Sequence, residues 1–134
     1  MTAPTLPETL ARLAQLLPER VREVDLTEQW GMTMLEVYVR GDGDQLGWRG
    51  IYSMGEAGNH SFPEDLIWLE TALRQECVAR GWHWQVGIGR AEVGDWDRRR
   101  VTVSWCDLPG GTPAHALAVA VVRWLDSEKM GEPW

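Results

Sequence analysis

His83, Gln85, Arg100 and Ser104 are the residues whose types and spacing could do chemistry. Side chains alternate along a strand, so 83 and 85 share one face, and 100 and 104 share the same face of the following strand. An imidazole, an amide, a guanidinium and a hydroxyl on one sheet face can bind a polar ligand. With Asp107 nearby in sequence, Ser104 and His83 also supply the groups of a nucleophile and its base. No strained Gly-x-Ser-x-Gly turn presents a serine, so no catalytic residue is assigned. The plain alternative is that this row is the solvated side of a sheet.

Other chemistries find less in the chain. Gly41, Asp42, Gly43 and Asp44 begin like a dinucleotide fingerprint, but the third glycine is missing and the segment joins two strands. Pro109, Gly110 and Gly111 are followed by Thr112 and Pro113 rather than by the Lys-Ser/Thr pair of a phosphate loop. Cys77, Cys106, His60, His83 and His115 fall at no zinc-ligand spacing, although Cys106 and His115 could meet across the loop between them. Asp42 and Asp44 are explained by turn formation without calcium. No cofactor and no metal are expected. Arg98, Arg99 and Arg100, with Arg90 across a hairpin and Trp96 beside them, form the only basic cluster read from the sequence.

The chain has 134 residues and a formal net charge of −7, which disfavours a phosphate backbone or anionic lipid as partner and suits a basic protein. Nine tryptophans against one phenylalanine and two tyrosines are the compositional anomaly. Tryptophan combines a large apolar area with one N–H that needs a partner, so it favours half-buried and interface positions. Trp68, Trp82, Trp84, Trp105 and Trp124 fit core positions by pattern. Trp48, Trp96 and Trp134 do not, and exposed together they would mark an interface. The first residues show no secretion signal and no apolar run is long enough to span a bilayer, so the expectation is a cytoplasmic chain with free, buried thiols.

Three helices and four strands must position these residues. Thr5 and Glu8 frame a capping box with Pro7 in the first turn, and Leu6, Leu10, Leu13 and Leu17 follow at helical spacing until Pro18. Ser61, Pro63 and Glu64 repeat that signal before Leu66, Leu69, Leu73 and Cys77, with Gly81 as the stop. Thr112 and Pro113 open a third helix that is apolar around most of its circumference and should be deeply buried. Strands are expected over 32–39 and 47–53, flanking the 41–44 turn, and over 82–90 and 99–105, flanking Gly94 and Asp95. The segment 54–60 is expected to be a loop. Trp82, Trp84, Val86 and Ile88 fall on the core face with Val101, Val103 and Trp105. The two similar capping boxes hint at an internal duplication.

The stretch Pro109, Gly110, Gly111, Thr112, Pro113, Ala114, His115, Ala116, Leu117, Ala118 resembles the end of the small phage-encoded proteins grouped as the phage ABA sandwich domain. In that group a Thr-Pro-Ala turn opens an alanine-rich last helix, and the order of second helix, hairpin and last helix over 61–130 is similar. The resemblance implies a phage or prophage origin and carries no catalytic residues with it.

The expected fold is α+β over 1–134 as one domain. It has a single four-stranded antiparallel sheet in α-β-β-α-β-β-α order. The second and third helices cover one face, and the first helix covers part of the other near Leu35, Val37 and Val39. The expected function is that of a non-enzymatic phage-type accessory protein that binds a protein partner, with a second copy of the chain as a further candidate. Two alternatives stand beside it: a small-ligand binder or enzyme using the face around His83 and Arg100, and an acidic mimic of nucleic acid that inhibits a host protein.

Overall fold

Thr5 Oγ1 accepts the Glu8 amide at 3.3 Å, and Glu8 Oε1 reaches back to the Thr5 amide at 3.4 Å, so the expected capping box opens helix α1, Leu6–Leu16. The computed structural model describes residues 4–40, 47–55, 58–60, 63–96, 99–108 and 111–130. The expected turn at 41–44, the capping residue Ser61, Arg98 of the basic cluster, the Pro109 and Gly110 turn, and Trp134 lie outside them.

After α1 come strand β1, Val21–Leu26, a single helical turn α2, Thr27–Trp30, and strands β2, Met32–Tyr38, β3, Trp48–Gly55, and β4, Gly58–His60. Helix α3, Pro63–Arg80, leads into strands β5, His83–Gly87, β6, Arg90–Gly94, and β7, Arg100–Ser104. A 3₁₀ turn then precedes helix α4, Pro113–Met130. Gly81 ends α3 with φ +72°, its amide bonded to the Val78 carbonyl and the Trp82 amide to the Cys77 carbonyl. This pair of bonds is the Schellman arrangement that glycine permits without steric cost.

The chain is α+β, but the single four-stranded sheet is overturned. Among the described residues there are two antiparallel sheets, β1-β2-β3-β4 and β5-β6-β7. The expected strand over 82–90 breaks at Ile88 and Gly89, because Gly89 takes φ +82° and reverses the chain. Ile88 sits at the tip of that turn, fully exposed rather than on the core face. Strand β1 carries Arg22, Glu23 and Asp25 on alternating sides, so its period is masked by charge. The expected loop over 54–60 holds the end of β3 and β4. The same pattern, antiparallel strands followed by an 18-residue helix, thus occurs twice after α1.

Helix placement differs as well. Helices α1 and α3 both pack on the first sheet, and α4 packs between those two helices and the second sheet. The second and third helices therefore do not share one sheet face. Leu35, Val37 and Val39 are buried under the helices of the first sheet. Ala116, Leu117, Ala118, Val119, Ala120 and Val121 are all buried, as expected of a helix with neighbours on every side. Leu10, Leu13, Leu69, Leu73, Leu117 and Trp124 join them in one hydrophobic cluster. Each fully buried leucine contributes about 1.5–3 kcal/mol from area alone.

Candidate functional site

The register of the second sheet brings the four polar residues onto one outward face. His83 pairs with Gly94, which pairs with Arg100. Gln85 pairs with Glu92, which pairs with Thr102. Gly87 pairs with Arg90, which pairs with Ser104. Residues directly opposite one another point to the same side, so the face reads as three rows. Gln85, Arg90, Arg100 and Thr102 are exposed. Behind this face, Ala91, Val93, Val101 and Val103 are buried against α4.

Within the face His83 and Ser104 occupy opposite corners. They stand two strands and four residues apart, which is about 16 Å at ordinary strand spacing. No proton passes directly between groups so far apart, and Asp107, exposed in the 3₁₀ turn, does not close the gap. The sheet therefore does not assemble a Ser–His pair. His83 and Arg100 share a row with only Gly94 between them, so no side chain fills the middle of that row. A Cβ on Gly94 would lie 2.0 Å from the Arg99 carbonyl oxygen, so the backbone approach itself requires glycine.

Trp96 closes that row. Its indole N–H donates to the Gly81 carbonyl at 3.1 Å, its carbonyl accepts from Arg100 Nη2 at 3.1 Å, and its ring meets His83 edge-on at 5.1 Å. Both imidazole nitrogens of His83 are shut off from solvent and find no partner among the described residues. Arg100 Nη1 lies 3.9 Å from Glu92 Oε1, a carboxylate at the centre of the face. In this arrangement Arg100 serves Trp96 and Glu92, and His83 has no open nitrogen for a ligand. The face is assembled as expected, with its imidazole covered.

The first sheet has a different outward face. Pairing puts Arg22, Val24 and Leu26 beside Glu36, Met34 and Met32, and Tyr38 beside Trp48. The core cluster draws Tyr52, Met54 and Trp68 from this half of the chain, but it does not include Val24, Leu26, Met32, Met34, Tyr38 or Trp48. These six are half-buried against one another on the side away from α1 and α3. Arg22 ties the face together, with an ion pair to Glu36 at 2.8 Å and its guanidinium 4.1 Å from the Trp48 ring centroid. Tyr38 and Trp48 meet edge to face at 5.5 Å. Trp30 stands 73% exposed at the end of α2, which leads from β1 into β2.

Sequence reasoning missed this surface, although a signal was present. Met32, Met34 and Tyr38 alternate with Leu35, Val37 and Val39, so the strand is apolar on both faces. A two-sided apolar strand has two surfaces to cover. Trp48 lies in β3 of the first sheet and Trp96 follows β6 of the second, so these two are not exposed together and the condition for reading them as one interface is not met. Trp82 and Trp124 are buried, and Trp68, Trp84 and Trp105 pack against the core at its edge. Among the described residues four tryptophans carry a guanidinium over the ring: Arg22 on Trp48, Arg49 on Trp68, Arg74 on Trp84 and Arg80 on Trp82.

No family model, curated protein or solved structure matches the chain. The phage resemblance therefore rests on residues 109–118 and the expected order of second helix, hairpin and last helix over 61–130 alone.

Among the described residues the remaining candidate ligands do not converge. His115 is buried, with Nε2 3.2 Å from Thr9 Oγ1, and burial pushes its pKa down. Cys77 is buried, whereas Cys106 is exposed, which corrects the expectation of two buried thiols. Among the described residues no three His, Cys, Asp or Glu side chains gather as a metal site, and no helix is long and apolar enough to cross a membrane.

Proposed function

We propose that the chain is a non-enzymatic accessory protein that binds a basic protein partner through the outward face of its first sheet. The observation that carries this reading is the set Val24, Leu26, Met32, Met34, Tyr38 and Trp48, half-buried on one another and outside the core, with Trp30 exposed beside them. An apolar surface rich in methionine and tryptophan at a sheet edge suits protein contact. Glu28 is exposed in the α2 turn beside it, in a chain of net charge −7, which favours a partner carrying lysine or arginine around its own apolar patch. The resemblance of residues 109–118 to phage-encoded proteins supports an origin of the same kind.

A second reading has its own observation. Trp96 covers the unpartnered nitrogens of His83 beside Arg100, so a displaced Trp96 would open a polar ligand site bounded by His83, Gln85, Glu92, Arg100 and Ser104.

One experiment separates the two. The tagged chain, a Trp30→Ala/Met34→Glu variant and a His83→Ala/Arg100→Ala variant are used in parallel to capture proteins from a bacterial lysate, with low- and high-salt washes. The leading reading expects a basic protein that is lost at high salt and lost in the first variant but kept by the second, with all three chains folded by circular dichroism. A partner kept by the first variant and lost by the second would transfer the function to the second sheet.

A further inference from the structure

A groove where the α1–β1 turn, the end of β2 and the last turns of α3 meet is lined by Glu19, Arg20, Tyr38, Arg40, Glu76 and Arg80, in two adjoining lobes of about 260 and 390 Å³. Among the described residues three guanidiniums face two carboxylates there, on a chain whose net charge is −7. Arg20 precedes β1, Arg40 follows β2 and Arg80 ends α3, so only folding gathers them.

The arginines are held rather than loosely clustered. Arg20 has a side chain only 13% exposed. It donates Nε to Glu76 at 3.2 Å and Nη1 to the Tyr38 carbonyl at 3.2 Å, with Gln75 Oε1 at 3.4 Å. Glu76 is shared with Arg80, so one carboxylate serves two guanidiniums. Gln75 also brackets the backbone of Arg40, accepting its amide at 2.8 Å and donating to its carbonyl. Those bonds use the backbone of Arg40. Among the described residues neither its guanidinium nor Nη2 of Arg20 has a partner.

We propose that this groove is an anion site in which Arg20 and Arg40 grip one carboxylate or phosphate group, with Arg80 adding charge from the side. Planar guanidiniums match the paired oxygens of both groups, and Gln75 supplies the preorganisation by fixing Arg20 and the Arg40 backbone together. The site shares Tyr38 with the partner-binding face but is tested apart from that reading, because it uses none of Trp30, Met34 or His83.

The test is a titration of the isotopically labelled chain with inorganic phosphate, acetate and chloride at constant ionic strength, followed by amide and Arg Nε–Hε resonances. Saturable shifts confined to Arg20, Tyr38, Arg40, Gln75 and Arg80, absent with chloride, are expected. Arg40→Ala should weaken binding about ten-fold or more, the loss of one charge-assisted contact. Arg40→Lys should recover part of it, and Arg90→Ala on the second sheet should bind as the wild type does. Response to phosphate alone assigns a phosphate ligand, and response to both anions assigns the carboxylate as well. No saturable shift with either anion, or shifts that survive Arg40→Ala, would overturn the site. Thermal melts of Arg40→Ala, whose structural bonds are all made by its backbone, check that the variant folds.

Discussion

Thr9 Oγ1 and His115 Nε2 lie 3.2 Å apart across 106 residues of sequence, joining α1 to α4 in the interior. The Thr9 hydroxyl spends its one proton on the Thr5 carbonyl at 2.8 Å. Its oxygen is therefore left to accept, so the imidazole carries a proton on Nε2, and burial favours its neutral form.

That contact predicts an acid-sensitive fold. Burial is the main cause of the lowered His115 pKa, with a smaller opposing effect from the Thr5 carbonyl. The unfolded chain then takes up a proton as pH falls below about 6.5, while the folded chain resists it. The unfolded state binds more protons in that window, so stability is complete above it and is lost on acidification. His115→Gln keeps a donor toward Thr9 and cannot titrate there. Melting temperatures measured from pH 7.5 down to 5 should fall less steeply for this variant than for the wild type. Parallel slopes would sink the argument.

The two cysteines predict a count of reactive thiols. Burial, aided by the charge of Glu76, pushes the Cys77 thiol up to about 12, and Cys106 is exposed. The thiolate is the reactive form, so Cys106 should react with an aromatic disulfide reagent and Cys77 should stay silent in the native protein. One equivalent should be titrated in buffer and two in denaturant. Two rapid equivalents in buffer would mean that α3 opens far more readily than its packing implies.

What the sequence told about this fold was local. Thr5 and Glu8 cap each other three residues apart, and Gly81 ends α3 through bonds spanning a single turn, so both were legible from residue types and spacing alone. The alternation that put His83, Gln85, Arg100 and Ser104 on one face was legible for the same reason. It held even though the strand boundaries did not, because the count of two survives a turn that restarts the strand in register. Ile88 shows the limit: its apolar character kept the alternation running through a turn that only Gly89 betrayed. The arginine groove was not legible at all, since Arg20, Arg40 and Arg80 share no motif, and Arg20 and Arg40 reach Arg80 only through Gln75 and Glu76 of the helix that Arg80 ends.

Gly94 predicts a packing penalty within the candidate face. It separates His83 from Arg100, and a Cβ there would sit 2.0 Å from the Arg99 carbonyl and 2.7 Å from the Arg100 Cα. Both obstacles are backbone, so the neighbouring strand must move. Gly94→Ala should cost about 1–3 kcal/mol, the usual range for overpacking a site that cannot yield, read from denaturant unfolding. Gly87, in the row with Arg90 and Ser104, has nothing within 4 Å of a built Cβ, so Gly87→Ala should be tolerated at close to wild-type stability. Equal costs for the two would refute the close-approach account.

The open edge of the first sheet predicts that the chain does not pair with itself there. Strand β1 has β2 on one side and, among the described residues, no strand on the other. In a continuous antiparallel sheet made by two copies, the two-fold axis passes through one residue of β1 and pairs its neighbours symmetrically. Centred on Arg22 it opposes Arg22 with itself, and centred on Glu23 or Asp25 it opposes two carboxylates. Centred on Val24 it opposes Glu23 with Asp25 twice. Every register that pairs at least three residues of the strand sets like charges opposite one another, which destabilises pairing and protects the edge. Sedimentation equilibrium should show no edge-to-edge dimer for the wild type. Glu23→Thr with Asp25→Thr removes the repulsion in the Val24-centred register, so that variant should associate with rising concentration. A wild type that dimerises, and comes apart only when Glu23 and Asp25 are changed, would show that the charges serve attraction instead.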